Sequence, residues 1–188
     1  MTSPVRARRA DAVRNEHRVL EAAREVFAER GLSAGVEEVA ARAGVGKATI
    51  YRSWATKDDL VAAVVGSRVE WFTGQALAAA QAQDPWLALV ALLHDSATSA
   101  ARSALLNAGL SAAPYNPVLE AQRAQSRDAL QSLLDLLATR GQVRAGVTSR
   151  ELLVLLCGAF RTLAEERVDD VGQWRRYADR VLLTVQAG

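Results

Sequence analysis

Apolar residues recur three and four positions apart along almost the whole chain, a spacing that places them on one face of an α-helix. No segment shows the alternation of apolar and polar residues that is typical of a half-buried strand, and no internal repeat is visible. The pattern predicts an all-α protein, with two short helices between residues 36 and 54 and longer ones at 14–30, 59–83, 86–106, 118–139, 149–166 and 172–185.

The segment VEEVAARAGVGKATIYRSWATK predicts two short helices around a tight turn. Val36, Val39, Ala40 and Ala43 lie at positions i, i+3, i+4 and i+7 of the first helix, so their small side chains share one face. Gly44 follows, where a left-handed glycine can end a helix without a steric cost. The chain can therefore change direction sharply at this point.

The second short helix, about residues 46–54, separates apolar from polar side chains. Ile50 and Trp54 lie four positions apart on its inner face, and Ala48 joins Ala40 and Ala43 as a small residue that lets the two helices pack closely. Its outward residues carry donors suited to phosphates and base edges: Lys47, Thr49, Tyr51, Arg52 and Ser53. The pattern is typical of a helix-turn-helix that reads the DNA major groove, and the alternative is an ordinary helical hairpin.

The identity of the basic residues favours the DNA-reading interpretation. Of the 23 basic residues only Lys47 and Lys57 are lysines, and both lie in this segment. The stretch AGVGKATIYRSWATKDDL resembles the signature of TetR-family transcriptional regulators. Six residues match that signature directly: Gly44, Val45, Thr49, Tyr51, Lys57 and Leu60.

Two positions depart from the family signature. Gly46 replaces the serine that usually caps the recognition helix, and glycine caps less well by a few tenths of a kcal/mol. Ser53 stands where histidine or another large polar residue is frequent. The resemblance covers about residues 13–65, and it implies a DNA-binding transcriptional regulator.

The resemblance assigns DNA contacts to this hairpin position by position. It implies that Lys47 and Arg52 reach base edges from a recognition helix that also contains Ala48. The same resemblance gives the role of backbone clamps to Thr49, Tyr51, Ser53 and Lys57. Glu37 occupies a position from which a carboxylate could accept a hydrogen bond from cytosine N4, or could support the N-terminus of its own helix.

A basic segment precedes the first long helix. Arg6, Arg8 and Arg9 follow a helix-breaking Pro4 in a stretch too polar to bury itself, which predicts a flexible arm over residues 1–12. Such an arm can lie along the DNA backbone or enter the minor groove. The alternative is a tail that only confers solubility.

The resemblance implies a division of the chain into functional parts. After the arm, residues 13–58 form the helix-turn-helix DNA-binding domain, and residues 59–188 form a helical effector-binding and dimerisation domain. The first helix of the second domain, 59–83, begins beside the DNA-reading segment with Thr56 as its N-cap. In this family that helix couples ligand binding to DNA binding.

Composition is compatible with a folded DNA-binding protein and argues against a membrane or secreted protein. The chain has 188 residues, 50% of them hydrophobic and 23% charged, which is ample for a folded core. The formal net charge is only +2, so the local placement of the basic residues has to account for DNA binding. No apolar run approaches the roughly 20 residues that cross a bilayer, and no signal sequence is evident, so we expect a soluble, cytoplasmic protein with no membrane partner.

No motif predicts catalysis, a metal site or a cofactor. Cys157 is the single cysteine and lies in the apolar run LLVLLCGAF, where a free cysteine behaves as a small hydrophobe. His94 and Cys157 lack an acidic third member that would orient them for nucleophilic catalysis. Since metal-ligand spacings and phosphate-binding glycine loops are also absent, we expect a protein that is not an enzyme.

Candidates for an effector pocket mix bulky apolar side chains with a few polar ones. They are Trp71, Phe72, Trp86, Leu89, His94, Leu106, Tyr115, Leu130, Leu134, Cys157 and Phe160. Each could instead be an ordinary core residue. Because no member of the set is charged, the set favours a hydrophobic or aromatic small molecule as the effector.

Two apolar stripes near the C-terminus are candidates for a subunit interface. One contains Leu152, Leu155, Leu156, Ala159, Phe160 and Leu163, and the other contains Trp174, Tyr177, Ala178, Val181 and Val185. Periodicity does not distinguish burial within the chain from burial between chains. The resemblance favours a homodimer through these two helices, because two recognition helices related by a twofold axis can read a palindrome.

The sequence therefore predicts a ligand-responsive repressor. Its dimer would bind a palindromic site on double-stranded operator DNA and leave when a small hydrophobic effector binds. The alternative is a helical small-molecule-binding protein or enzyme whose N-terminal hairpin is only structural.

Overall fold

The computed structural model describes residues 4–103 and 116–188, with side chains of the first helix described from Arg14 onward. Within these ranges the chain is all-helical, which confirms the predicted fold class, and its only β pairing is an isolated bridge between Val143 and Gln186. The helices are α1 (Pro4–Arg30), α2 (Val36–Ala43), α3 (Lys47–Ser53), α4 (Lys57–Ala80), α5 (Pro85–Ala101), α6 (Pro117–Thr139), α7 (Ser149–Glu165) and α8 (Val171–Val185).

Side-chain caps define the start of most helices after the hairpin. The Thr56 hydroxyl accepts a hydrogen bond from the Asp59 N–H at 3.1 Å, and the Asp59 carboxylate accepts one from the Thr56 N–H at 3.1 Å. This reciprocal cap confirms the predicted N-terminus of α4. At the starts of the four later helices, a capping side chain accepts a hydrogen bond from a backbone N–H of the first turn; these residues are Asp84, Asn116, Thr148 and Asp170.

Helix α1 is longer than the sequence pattern suggests. It begins at Pro4, so residues 4–12, for which the sequence predicts a flexible arm, are helical. Proline is tolerated in the first turn of a helix, where its missing N–H would have no intrahelical partner in any case. Arg6, Arg8 and Arg9 therefore lie in the first two turns of α1.

The buried residues form two main clusters that share helix α4. The N-terminal cluster joins α1, α2 and α3 to the first half of α4, and Leu119 of α6 inserts into it. The C-terminal cluster joins α5 to α8 with the far end of α4 at Ala79. With 24 residues, α4 is about 36 Å long and runs from one cluster to the other.

The shared helix bears on the predicted domain boundary after residue 58. Leu60, Val61, Val64 and Val65 follow that boundary in sequence, and all four are buried in the N-terminal cluster. The first three turns of α4 are thus part of the core that supports the hairpin. A displacement of α4 would therefore move residues that pack directly against α1 to α3.

The inward faces of α7 and α8 build the C-terminal cluster. Leu152, Leu156 and Phe160 of α7 are buried, and the Phe160 ring lies 5.5 Å from that of Trp174 on α8. The buried Trp174 donates a hydrogen bond to the Val168 carbonyl at 2.9 Å, which satisfies its indole N–H. Most of the two predicted stripes is therefore buried within the chain itself. Ala159 is half-buried, and Leu155 and Tyr177 are exposed.

Candidate DNA-binding surface and effector cavity

A left-handed glycine joins α2 to α3. Gly44 has φ of +65°, and the Val45 N–H donates to the Ala40 carbonyl at 3.0 Å, so the last carbonyls of α2 are satisfied by the turn. The predicted helix end at Gly44 is confirmed. Any other residue at this position would bear the cost of the left-handed conformation.

The hairpin is held on its inner side by a few apolar side chains. Val39, Ala40 and Ile50 are buried, and Trp54 is half-buried against the same cluster. Ala48 is exposed, so the expectation that it packs between the two helices is wrong. It lies beside Lys47 at the start of α3, on the surface that would meet DNA.

The outer face of α3 is polar and accessible. Lys47, Tyr51, Arg52 and Ser53 are exposed, while Thr49 is half-buried. Gly46 occupies the N-cap in an extended conformation, and no side chain caps the helix there. The N–H groups of the first turn of α3 therefore have no side-chain acceptor at the cap, and they stand next to the Lys47 side chain.

An ion pair joins the two helices of the hairpin. The Lys47 ammonium donates to Glu37 Oε1 at 2.7 Å, and both groups are exposed. This hydrogen bond lowers the pKa of Glu37, aided by the backbone N–H of Glu37 itself, and raises the pKa of Lys47. Glu37 thus serves the N-terminus of α2 and the first residue of α3 at the same time.

Lys57 makes a structural contact. Its ammonium donates to the Leu32 carbonyl at 2.5 Å in a partly buried position. Leu32 belongs to the 3-10 turn Gly31–Ser33 between α1 and α2, so this bond ties the start of α4 to the base of the hairpin. Sequence reasoning gave Lys57 only a DNA role, because a contact 25 residues away leaves no local signal.

A cavity of about 230 Å³ lies in the C-terminal half among four helices. Helix α4 contributes its middle turns and α5 its last turns, and α6 and α7 complete the lining. The lining residues are Arg68, Val69, Phe72, Ser96, Ala100, Arg123, Ser126, Arg127, Leu153, Leu156, Cys157 and Phe160. The cavity is concave, mostly apolar and furnished with a few polar groups, as small-molecule sites usually are.

The structure places only some of the effector candidates at this cavity. Phe72, Cys157 and Phe160 line it. Trp71 lies beside it, with the Arg68 guanidinium 3.5 Å above its ring. The remaining described candidates are elsewhere: Trp86, Leu89, Leu130 and Leu134 belong to the C-terminal core, and His94 bonds to Asp179 of α8 at 2.6 Å. Tyr115 and Leu106 lie outside the described residues.

The cavity wall is charged, contrary to the expectation drawn from the candidate set. Three arginines line it, and no carboxylate is among the lining residues. Burial lowers the pKa of Arg68 to about 10, with Asp95 opposing the shift and Arg24 reinforcing it, so this guanidinium stays charged at neutral pH. Burial also raises the pKa of the Cys157 thiol, which disfavours its reactive thiolate form.

The described residues offer no site for a metal ion and no membrane-spanning helix. No group of three or more His, Cys, Asp or Glu residues within 4–103 and 116–188 is arranged to hold a metal ion. In the same two ranges, no helix is both long enough and apolar enough to span a bilayer.

A small helix-turn-helix domain joined by a long shared helix to a helical domain with a cavity defines a class of DNA-binding transcriptional regulator. Residues 19–64 match the family model for bacterial regulatory proteins of the tetR family. This match independently supports the sequence resemblance to the TetR family. No curated protein matches the chain.

Solved structures of TetR regulators share the whole fold. The TetR transcription regulatory protein from Mycobacterium vanbaalenii is 34% identical, with a TM-score of 0.64 over 85% of this chain and 96% of that one. SCO0520 from Streptomyces coelicolor is 28% identical, with a TM-score of 0.67 over 92% and 98%. SmeT, the repressor of the SmeDEF efflux pump of Stenotrophomonas maltophilia, is 20% identical, with a TM-score of 0.67 over 91% and 90%. The chain belongs to the TetR family of transcriptional regulators.

Proposed function

We propose that this TetR-family chain is a ligand-responsive repressor that binds a palindromic operator as a homodimer. In this proposal the effector occupies the cavity among α4 to α7 and favours a state that releases DNA. The observation that carries the proposal is the path of α4, because one helix contributes to both the hairpin core and the cavity wall.

The exposed face of α3 supports the DNA half of the proposal. Lys47 and Arg52 read base edges from this face. Thr49, Tyr51, Ser53 and Lys57 hold the phosphate backbone, with Ala48 in close approach at the helix start. Arg6, Arg8 and Arg9, in the first turns of α1, add further contacts to DNA in this proposal. Residues 13–58 thus serve as the DNA-reading unit and residues 59–188 as the effector-binding and dimerisation unit.

The outer faces of α7 and α8 support the dimer. Val154 and Leu183 are exposed by 64% and 68%, and Leu155 and Tyr177 are also exposed on the same two helices. Several large exposed apolar side chains on neighbouring helices are typical of an interaction surface. Packing α7 and α8 of one subunit on those of a second would bury them in a four-helix interface.

The ligands of similar proteins support an effector with a large apolar part. SmeT has been solved with triclosan, and FadR from Bacillus subtilis has been solved with stearoyl-CoA. In the present chain the apolar wall is supplied by Phe72, Leu153, Leu156 and Phe160. A hydrophobic molecular body would fit this wall by the same chemistry.

The proposal is tested by selecting bound sequences from a random pool of double-stranded DNA with the full chain. We expect a palindromic site, and we expect affinity for it to fall steeply as salt is raised, because Lys and Arg displace counterions from phosphate. Sedimentation of the complex gives the stoichiometry. The same selection with Lys47→Ala, Arg52→Ala is the matched control and should yield no enriched site.

A helical binding protein or enzyme with a structural hairpin is the alternative that this selection excludes. That alternative predicts no enrichment and no salt-dependent DNA affinity. A non-palindromic site bound by a single subunit would contradict the dimer and leave DNA binding intact. Release of the selected DNA by candidate effectors is then measured by fluorescence anisotropy.

A further inference from the structure

The wall of the cavity combines an apolar surface with cations that lack anionic partners there. Arg68 and Arg127 both line it, and neither makes a hydrogen bond or an ion pair with another described residue. Arg127 is exposed to solvent, whereas Arg68 is half-buried and is attracted electrostatically by Asp95, which lies outside the lining. The third arginine, Arg123, is engaged by Glu120 at 2.7 Å. An arginine carries five N–H donors, so the two others hold most of the unused donor capacity of this site.

The position of Arg68 makes its unused donors unusual. Its guanidinium is stacked 3.5 Å above the Trp71 ring, which fixes the plane of the group, and it is far less exposed than a surface arginine. A stacked guanidinium still offers its edge to a planar acceptor. Partly buried cations are normally paired, so an unpaired one in a cavity points to an anionic ligand.

A third polar group of the cavity also lacks a hydrogen-bond partner. The Ser96 hydroxyl on α5 is buried, lines the cavity and has no hydrogen-bond partner among the described residues. Helical serines commonly bond to a carbonyl one turn earlier, and Ser96 does not. Buried polar atoms without a partner are rare in native proteins.

We infer that the cavity binds an anionic amphiphile, a molecule with a carboxylate head and an apolar chain or ring. The carboxylate accepts hydrogen bonds from Arg68 and Arg127, whose forked donors match its two oxygens, and Ser96 donates to it as well. The apolar part lies against Phe72 and Phe160. This inference rests on the proposed function only in taking the cavity as the effector site.

The charges that line the cavity favour an anionic amphiphile over a cationic or a neutral one. A cationic amphiphile would be repelled, because the lining contains three arginines and no carboxylate. A neutral amphiphile could fill the apolar part and accept a hydrogen bond through a hydroxyl, but it would not compensate the charge of the half-buried Arg68. The ligand therefore needs both features.

The test compares three probes with the same ten-carbon chain: decanoate, decanol and decyltrimethylammonium. Binding to the full chain without DNA is measured by isothermal titration at neutral pH. We expect decanoate to bind at least about tenfold more tightly than decanol, the difference that a charge-assisted hydrogen bond supplies. Decyltrimethylammonium should bind more weakly than either.

Variants locate the head group. Arg68→Gln with Arg127→Gln should bring decanoate down to the affinity of decanol, while Arg150→Gln, an exposed arginine of α7 outside the cavity, should change nothing. If the double variant does not fold, Arg127→Gln alone should remove part of the preference. A preference for the carboxylate that stays undiminished in the double variant, or in Arg127→Gln where the double variant does not fold, would overturn the inference. Equal binding of decanol and decanoate by the unaltered chain would overturn it as well.

The outcome is separable from that of the proposed function. Failure to select an operator would refute the regulator, yet decanoate could still bind to the isolated protein. Conversely, an operator complex released by decanol as readily as by decanoate would leave the regulator standing and overturn the anionic ligand.

Discussion

The Lys47 ammonium, the first group of α3, is held 2.7 Å from the Glu37 carboxylate of α2. A cation proposed to read a base edge is therefore already paired in the free protein. DNA binding has to break this pair or share it, since the N7 and O6 atoms of guanine would compete with Glu37 for the same donor. The pair thus links the geometry of the turn to sequence discrimination.

Lys47→Ala is expected to reduce discrimination between the selected operator and scrambled DNA. The loss should be about 1 to 3 kcal/mol if the contact is of bidentate quality, with a smaller loss of affinity for scrambled DNA. Fluorescence anisotropy on both DNAs at one salt concentration measures the difference. Equal losses on the two DNAs would show that Lys47 contacts phosphate only.

Glu37→Gln is expected to raise affinity for both DNAs, because it removes a carboxylate from a surface that approaches phosphates. Glu151→Gln, an exposed carboxylate on α7, is the matched control and should leave DNA affinity unchanged. A fall in operator affinity in Glu37→Gln would instead mean that the carboxylate accepts a hydrogen bond from cytosine.

The pH dependence of this pair follows from its direction of shift. The hydrogen bond from Lys47 lowers the pKa of Glu37, so the pair is present above the ordinary carboxylate range and is lost only as pH falls through the lowered pKa. Because Lys47 has a raised pKa, the pair is also intact on the alkaline side of neutrality. We expect the effect of Glu37→Gln on DNA affinity to be constant between about pH 6 and 8.

Lys57→Met separates two roles of one side chain. Its hydrogen bond to the Leu32 carbonyl is partly buried, and removing the donor should lower the free energy of unfolding by about 1 to 3 kcal/mol in urea titrations. If Lys57 also holds phosphate, affinity should fall equally on operator and scrambled DNA, as a backbone contact requires. Unchanged stability in Lys57→Met would contradict the structural role, and unchanged affinity would contradict the clamp.

Local chemistry explains why the sequence predicts the hairpin and most helix ends well. Gly44 and Thr56 act within four residues of their own positions, so a left-handed turn and a capped start can be read from the chain directly. Pro4 misleads because proline ends a helix in its interior yet is accepted in its first turn. The length of α1 therefore differs from the expectation, while its C-terminal end at Arg30 does not.

The cavity could not be predicted in the same way. Arg68 and Arg127 belong to different helices, α4 and α6. The sequence pattern of each helix identifies its arginine only as a polar position. They share one wall because those two helices pack closely along their length, with Gly66 facing Gln122. Similarly, periodicity does not tell which edge of the α7 stripe is buried, and the structure leaves Leu155 outside the core.

The close approach of α4 and α6 at Gly66 gives a prediction about stability. A Cβ at this position would meet the Gln122 side-chain amide, which also donates to Glu70 at 2.7 Å. Alanine favours a helix over glycine by up to about 1 kcal/mol, but in Gly66→Ala displacement of Gln122 offsets that gain. We expect little change in the midpoint of thermal unfolding for Gly66→Ala alone.

Two comparisons isolate the contribution of Gln122. In a Gln122→Ala background, Gly66→Ala should stabilise by about 1 kcal/mol, because nothing is then displaced. Gly74→Ala lies on the same helix where a Cβ meets no atom within 4 Å, and it should give the full gain in the unaltered chain. Strictly additive effects of the Gly66 and Gln122 changes would contradict the close contact.

Cys157 reports on the cavity because it is the single cysteine of the chain and lines the wall. Burial raises the pKa of its thiol, so the stability gained by keeping the thiol neutral is present below the pKa of an unfolded cysteine and is lost as pH rises through the folded value. Alkylation by iodoacetamide requires the thiolate. In the folded protein its rate should therefore keep rising with pH beyond about 9.5, about one unit above the pKa of a free cysteine, where the rate for a free cysteine approaches its plateau.

The measurement is mass spectrometry of the intact chain after timed alkylation, with the urea-unfolded protein as reference. A ligand in the cavity should slow modification of folded Cys157 further and leave the unfolded reference unchanged, since it covers the thiol only where the wall exists. Alkylation of the folded protein at the unfolded rate near pH 8 would mean that the thiol is open to solvent. In that case Cys157 would not be covered by a bound ligand, and on the α7 side the ligand would contact Leu153 and Leu156 instead.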